Sequence, residues 1–271
     1  MRSSVAIVLF FTILLGSCSK DKSGLQAIAP THMSSYLLDK VEFKNSNTTA
    51  IYSYNADSTL AEVFYNNELA PSFTAYAYAD KQLTRTAVNG EPAAIYSYTN
   101  GYLTTVTSSG KDSATNGYKL VFSYAPNGML EEMQYFTADS SGMHLHTTHL
   151  YQYNIDGLPA KITSIGNSVV TTTVIHGYSE ECDFDAASLM GPAVSDDLYM
   201  IYNYSLLTQL NRLPAEIVVS RAEGRNAAVV ERKYNASFTI TNRKLEKIKS
   251  VTTYSAHPSN EEGDEWVFHY K

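Results

Sequence analysis

The fold is decided by Tyr151-Gln-Tyr153-Asn154-Ile-Asp156-Gly157-Leu158-Pro-Ala-Lys-Ile162. Tyr151 and Tyr153 lie two residues apart, so on a β-strand both rings point to the same face, where aromatic side chains pack across strands. The Asn-Ile-Asp-Gly segment that follows is typical of a turn, because Asn and Asp bond the nearby backbone and Gly tolerates a positive φ. An apolar pattern then restarts at Leu158. The stretch predicts a strand, a tight turn and a second strand.

Variants of this stretch recur along the chain. Each combines an aromatic pair with a polar turn and a Leu-x-x-apolar segment, and the copies start at Tyr52, Tyr76, Tyr96, Phe122 and Tyr151, with degenerate copies at Tyr234 and Phe268. Most neighbouring starts are roughly 20 to 34 residues apart, which is the spacing of repeat architectures. Short turns between consecutive strands imply an antiparallel meander. We therefore predict a mainly β fold, either an open curved sheet or a half-barrel.

The strand prediction extends from Leu37 to Tyr270. The predicted strands are 37–43, 50–54, 60–65, 73–78, 83–88, 94–98, 103–108, 118–124, 130–137, 146–153, 160–165, 169–176, 215–221, 229–241, 245–256 and 265–270. Asn89-Gly90 predicts a type I′ hairpin turn. The pattern breaks around 185–210, where Ser195 resembles an N-cap and Tyr199, Tyr202, Leu206 and Leu210 fall on one helical face. We predict one short helical insertion there, covering an open face or edge of the sheet.

The N-terminal segment predicts where in the cell the protein is located. Arg2 precedes an apolar run, Val5 to Leu15, that is too short to span a membrane, so residues 1–17 are interpreted as a signal peptide. Leu15-Gly16-Ser17-Cys18 resembles the bacterial lipobox, which makes Cys18 the predicted lipidation site. Residues 18–34 lack periodicity and are interpreted as a flexible tether, followed by a single β-repeat domain over 35–271. The prediction is an outer-membrane lipoprotein, on either the periplasmic face or the cell surface.

The repeated Tyr-x-Tyr-Asn-x-x-Gly-x-Leu pattern resembles the Tyr-Asp (YD) repeat of Rhs-type shell proteins. The chain as a whole more closely resembles the uncharacterised Tyr-rich β-repeat lipoproteins of Bacteroidota. The resemblance covers most of the chain after the tether. It implies a β-repeat protein of the cell envelope, and it implies no catalytic residues.

Charge and cysteine content narrow the function classes. Removing residues 1–17 takes away Arg2 and changes the formal net charge from −7 to −8, which argues against a nucleic-acid partner. If Cys18 is acylated, Cys182 has no partner for a disulfide. We expect Cys182 to be a small buried side chain whose pKa is raised by the acidic residues around it.

Few residues carry a chemical signature. His144 and His146 would share one face of a regular strand, as in two-ligand metal sites, with His149 on the other face unless a bulge intervenes. The acidic segments 180–185 and 261–265 lack calcium-loop spacing and are interpreted as solvated turns. Ser108-Ser-Gly-Lys111 lacks the upstream Gly of a phosphate loop. We predict no cofactor and no catalytic residue.

Two interpretations of the aromatic residues stay open. Tyrosines that recur in phase with the repeat have an architectural reason to be there and should pack within the sheet. Aromatics outside that phase are the candidates for stacking on sugar rings, namely Trp266, Tyr65, Tyr102 and Phe136. The leading hypothesis is a lipid-anchored, non-enzymatic binding or scaffold module whose partner is a glycan or another envelope protein. The alternatives are a metal-dependent hydrolase using His144 and His146 and a carrier of an apolar ligand.

Overall fold

The computed structural model describes residues 36–67, 70–108, 117–183 and 211–271, and these form one closed antiparallel β-barrel of sixteen strands. The strands are β1 (Leu38–Phe43), β2 (Thr48–Tyr54), β3 (Leu60–Asn66), β4 (Ser72–Ala79), β5 (Gln82–Val88), β6 (Glu91–Thr99), β7 (Tyr102–Ser108), β8 (Tyr118–Tyr124), β9 (Leu130–Asp139), β10 (Gly142–Tyr153), β11 (Pro159–Ile165), β12 (Val169–Tyr178), β13 (Pro214–Glu223), β14 (Val229–Thr241), β15 (Lys244–Tyr254) and β16 (His257–Tyr270). Each strand pairs with its neighbours in sequence, so the predicted meander is confirmed.

Pairing between the first and last strands closes the barrel. Val41 in β1 lies opposite Phe268 in β16, and Phe43 lies opposite Trp266. The prediction of an open sheet or half-barrel is therefore wrong, since the sheet has no unpaired first or last strand. Closure removes the exposed edges that an open sheet of this size would present to other chains.

Three predicted segments have different outcomes. Residues 261–265, predicted as an acidic turn, belong to β16. Cys18, the tether and the predicted helical insertion around 185–210 lie outside the described residues. Within the described ranges, no helix is long and apolar enough to cross a membrane.

Turn chemistry in the repeats explains why the hairpins form. In three copies of the pattern, starting at Asn55, Ala125 and Asn154, the amide of the first residue donates to the carbonyl four residues later, and its carbonyl accepts a bond from the amide three residues later. The residue three positions after the first has a positive φ, which is +67° at Ser58, +84° at Gly128 and +75° at Gly157. Asn89-Gly90 has positive φ at both residues, as a type I′ turn requires, so that prediction is confirmed.

These turns all lie at one end of the barrel, which we call the repeat end. Because the strands alternate in direction, turns such as Asn89-Gly90 lie at the opposite end, which we call the far end. A β-bulge lies next to the second aromatic residue of each pair at the repeat end, with the extra residue in the following strand, β3, β5, β7, β9 or β11. Bulges increase the local twist and help a sheet to curve.

Tyrosine hydroxyls at the repeat end donate hydrogen bonds to backbone carbonyls of the preceding strand. The hydroxyl of Tyr124 donates to the carbonyl of Leu103 at 2.9 Å, and that of Tyr153 donates to the carbonyl of Leu130 at 2.7 Å. Tyr178 and Tyr270 make the same contact with the carbonyls of Pro159 and Leu245. This supports the architectural interpretation of the in-phase tyrosines.

The two faces of the sheet differ in polarity. The inward face holds a continuous apolar core, in which Leu38, Val41, Val63, Val106 and Ile217 are completely buried. The outward face carries charged side chains along the strands. Glu265 bridges Lys247 and Lys249 at 3.2 and 3.0 Å, and Glu42 bridges Lys40 in its own strand and lies 3.3 Å from His269 across the closing pair. Exposed apolar side chains such as Ile51, Phe64 and Ile95 lie among these charges, so the outward face is mixed in polarity.

A candidate binding cup at the far end

Exposure of the inward side chains rises from the repeat end to the far end in the long strands β13 and β16, whereas the inward residues at the far ends of the shorter strands β1, β2 and β3 are buried. In β13, the inward residues Ile217 and Val219 are buried, whereas Arg221 at the far end is exposed. In β16, Phe268 is buried, Trp266 is half-buried, and Asp264 and Glu262 are exposed. Barrels of about 16 strands are wide enough to hold a water-filled channel. Here the barrel is filled at the repeat end and opens into a cup at the far end.

Polar and charged side chains line one wall of this cup, formed by β14, β15 and β16. The Tyr254 hydroxyl donates to Glu262 Oε2 at 3.0 Å. Burial, followed by this hydrogen bond and the Glu262 charge, raises the pKa of Tyr254. Partial burial, with a smaller contribution from Glu262, raises the pKa of Asp264. Arg232 lies opposite Tyr254 in the strand pairing and brings a positive charge to the same wall.

Trp266 lies at the bottom of this wall. Its ring meets Phe43 edge-on, with the ring centroids 5.4 Å apart. It shares the inward face of β16 with Asp264, two residues nearer the mouth. A half-buried indole beside a carboxylate can stack on a sugar ring while the carboxylate accepts hydrogen bonds from sugar hydroxyls.

The other three glycan candidates lie on different strands. Tyr65 in β3 is only 7% exposed, and burial raises its pKa to about 12. Tyr102 lies at the repeat end, where its ring packs against that of Tyr124 with centroids 4.9 Å apart. Phe136 pairs with Leu145 on the outward face. The structure therefore does not bring the four residues to one place, and a role in glycan binding stays a prediction for each of them.

A bulge changes the geometry of the histidine cluster in β10. The pairing with β9 shifts between Leu145 and Thr147, so His146 occupies the bulge and His149 turns to the same inward face as His144. His144 Nε2 lies 2.8 Å from Ser141 Oγ and 3.2 Å from Asp139 Oδ1, whereas His146 Nδ1 contacts Thr147 Oγ1 at 2.7 Å. Among the described residues, no three His, Cys, Asp or Glu side chains are grouped to hold a metal ion. The metal hypothesis stays a prediction.

His149 is the buried member of this cluster, with 4% of its surface exposed. Its Nδ1 lies 2.8 Å from Ser164 Oγ, and its Nε2 is buried without a hydrogen-bond partner in the described part of the chain. Burial, with a smaller contribution from His146, lowers the pKa of His149 to about 4. The ring is therefore neutral at neutral pH.

Charged residues and Cys182 are gathered at the repeat end, where β12 leads into the segment that precedes β13. Arg243 contacts Glu181 at 2.8 Å and Asp183 at 3.0 Å, and the amide of Asp183 donates to the carbonyl of Arg243. Cys182 is buried between these residues. Burial raises the pKa of its thiol to about 12, with a smaller contribution from Asp183, so its predicted burial is confirmed and its thiol is un-ionised.

Sequence analysis missed most of the residues that line the cup. The alternating pattern of β14 contains the necessary signal, because Arg232 continues the inward series Tyr234, Ala236, Phe238 and Ile240. Glu262 and Asp264 were hidden because five acidic or glycine residues in a row resemble a turn. The face of His149 could not be decided because the sequence period does not show whether a bulge is present.

Comparison with known proteins identifies the fold. No family model and no curated protein matches this chain. A porin-like protein from Bacteroides uniformis superposes with a TM-score of 0.57 at 16% identity, covering 86% of this chain and 96% of that one. A porin-like protein from Bacteroides vulgatus gives a TM-score of 0.47 at 9% identity, with 87% and 99% covered. A chain of the TcdB2-TccC3-Cdc42 structure gives 0.28 at 12% identity, with 83% of this chain and 15% of that chain covered. The chain shares the barrel fold of the Bacteroides uniformis protein.

Proposed function

We propose that this protein is a non-enzymatic binding module of the cell envelope that takes a glycan into the cup at the far end of its barrel. The observation that carries this proposal is the change along the inward face from a packed apolar core to an open, polar, aromatic-lined wall. Trp266, Asp264, Tyr254 and Arg232 supply on that wall the ring face and the hydrogen-bonding groups that saccharide recognition uses.

The polarity of the interior supports this proposal over the carrier of an apolar ligand. Such a carrier requires an apolar cavity, but the apolar half of the described interior is packed with its own side chains. The open half instead carries charges and hydroxyl groups. A polar ligand therefore suits the cup better than a lipid chain.

An anchor at Cys18 would orient the cup. The chain enters the barrel at the repeat end, where the Tyr36 hydroxyl donates to the carbonyl of Asn242 and the Tyr36 ring packs against Tyr270. A tether over residues 18–34 would thus join the membrane to the repeat end. In the proposed lipoprotein, whichever membrane face it occupies, the cup then opens away from the membrane.

The proposal is tested by a glycan-array screen of the fragment 19–271, which contains every strand of the barrel. Asp264→Asn and Arg232→Gln change inward side chains, whereas Glu265→Gln and Lys233→Gln change their outward neighbours and serve as matched controls. We expect specific binding that the inward variants weaken and the outward variants retain. Binding that all four variants leave equal would place the site elsewhere, and the absence of any binding would refute the proposal.

A metal assay on the same preparation tests the non-enzymatic part. We expect no stoichiometric metal. Stoichiometric zinc that is lost in His144→Ala would instead support the hydrolase hypothesis.

A further inference from the structure

The inner wall of the barrel contains a row of polar side chains on β10, β11 and β12. His149 pairs with Ser164, and Ser164 pairs with Thr171, so the three side chains lie side by side on the inward face. Thr147 lies two residues nearer the mouth than His149 and is partly exposed. The row therefore begins directly below the open part of the cup.

His149 is incompletely bonded within this row. Its Nδ1 is engaged by Ser164 Oγ at 2.8 Å, while its Nε2 has no partner among the described residues although it is completely buried. Nearly all buried polar groups in native proteins are hydrogen-bonded, because leaving one unpaired costs free energy. A leucine or phenylalanine at this position would fill the space without that cost. The unpaired nitrogen therefore calls for a physical explanation.

The surroundings of His149 indicate the chemistry of a group that could pair with it. The side chains of the row between β9 and β12 are those of Met133, His149, Ser164 and Thr171, none of which is charged when the histidine is neutral. The next residue of the row, Arg221 of β13, pairs with Thr171 and lies three strands away from His149. A charged group at Nε2 would therefore lose its hydration without an opposite charge in contact with it. A hydroxyl group can both donate and accept, so it can bond Nε2 in either tautomer of the ring.

We propose that His149, with Ser164 and Thr171 beside it, forms a hydrogen-bonding subsite for a neutral, hydroxyl-rich ligand of the saccharide class. The subsite deepens the proposed function and rests on it, because the ligand enters through the same cup. The ligand reaches Nε2 by displacing the side chains that cover it. Met133, which lies opposite His149 in the strand pairing, has an unbranched and adaptable side chain that can make room.

Two substitutions of His149 separate ligand bonding from structural support. Asparagine places its amide nitrogen near the position of Nδ1, so His149→Asn keeps a partner for Ser164 and loses the group at Nε2. Glutamine reaches the position of Nε2, so His149→Gln retains that group. The control is His146→Asn, since the His146 side chain is exposed and lies in the bulge three residues earlier.

The experiment titrates the purified chain with neutral disaccharides and records both the dissociation constant and the imidazole ¹⁵N shifts of His149. We expect that one of the disaccharides binds and shifts the Nε2 resonance of His149. Its affinity should fall by a factor of about ten or more in His149→Asn and stay near the original value in His149→Gln and His146→Asn.

Other outcomes overturn the inference and separate it from the proposed function. If a disaccharide binds with unchanged His149 resonances and with equal affinity for His149→Asn, the subsite is refuted and the glycan cup survives. If binding is lost equally in His149→Gln and His149→Asn without movement of the Nε2 resonance, His149 has only a structural role. If no disaccharide binds the unmodified chain, the proposed function and the subsite both fail.

Discussion

The two ends of the barrel are built from the same strands, yet they differ in what fills them. At the repeat end, tyrosine hydroxyls bond the carbonyls of the preceding strand and apolar side chains such as Leu245 exclude water completely. At the far end, the same inward face of the same strands carries Arg221, Arg232 and Glu262, with at least part of each side chain in contact with water. The repeat end thus supplies most of the packing, and the side chains at the far end are less constrained by it. Residues at the far end can then change without loss of the fold.

The largest expected difference between the ends is in the cost of removing an inward side chain. Ile217→Ala at the repeat end should lower the free energy of unfolding by about 2–5 kcal/mol, because it leaves a cavity in a packed core. Arg221→Ala, four residues further on the same face of β13, should change it by less than about 0.5 kcal/mol. Denaturant unfolding of the two variants measures both values. Equal losses would show that the far end is packed as tightly as the repeat end.

His149 marks the boundary between the two ends and should make the barrel sensitive to acid. Burial lowers its pKa from 6.5 to about 4. Between pH 6.5 and pH 4, His149 is therefore protonated in the unfolded chain and neutral in the folded barrel. The free energy of unfolding therefore does not depend on His149 above pH 6.5, and it decreases as the pH falls from 6.5 toward 4. The loss should reach at most about 3 kcal/mol.

The matched variant for this prediction is His149→Phe. Between pH 7 and pH 4 the unfolding free energy of the original chain should fall by more than that of the variant, so the difference between the two proteins should change in favour of the variant. Parallel pH profiles would mean that folding does not lower the pKa of His149.

Two turn glycines, one at each end of the barrel, allow the packing of the two ends to be compared. Gly90 at the far end and Gly128 at the repeat end have nearly equal φ, +82° and +84°, so an alanine pays a similar backbone cost of about 1 kcal/mol at each. A Cβ at Gly90 would meet no atom within 4 Å, whereas one at Gly128 would lie 2.8 Å from the Tyr102 hydroxyl. Gly128→Ala should therefore destabilise the barrel by about 2 kcal/mol and Gly90→Ala by about half as much. Thermal unfolding of the pair tests this, and Tyr102→Phe in the Gly128→Ala background should recover part of the difference.

The smallest expected effect concerns single hydroxyl groups. Tyr153→Phe removes the bond to the Leu130 carbonyl, which is 2.7 Å long and part-buried, and should cost about 1 kcal/mol. Tyr254→Phe removes the bond to Glu262 at the exposed far end and should cost less than about 0.5 kcal/mol. Chemical denaturation of both variants compares the two ends directly. A larger loss for Tyr254→Phe would contradict the division of roles.

Local sequence patterns predicted each strand because each hairpin carries its own turn chemistry and its own alternation. Every predicted strand overlaps an observed one, and Asn89-Gly90 forms the turn expected of it. The candidate site was harder to predict. Trp266 was a candidate because of its place outside the repeat phase, but Asp264 beside it was assigned to a turn. His149 was expected on the opposite face unless a bulge intervened, and the sequence could not show that the bulge at His146 exists.

The sequence by itself determined the β-repeat, the turns at the repeat end and the in-phase tyrosines, because these depend on contacts between residues close in the chain. Tertiary structure alone decided that the meander closes, because the pairing of β1 with β16 joins residues more than 200 positions apart through backbone bonds that no side-chain pattern encodes. Closure of the sheet encloses its inward face in the interior of the barrel. Only then could the same inward face be a packed core at Ile217 and an open polar wall at Arg221, since water reaches one end of the enclosed space and not the other.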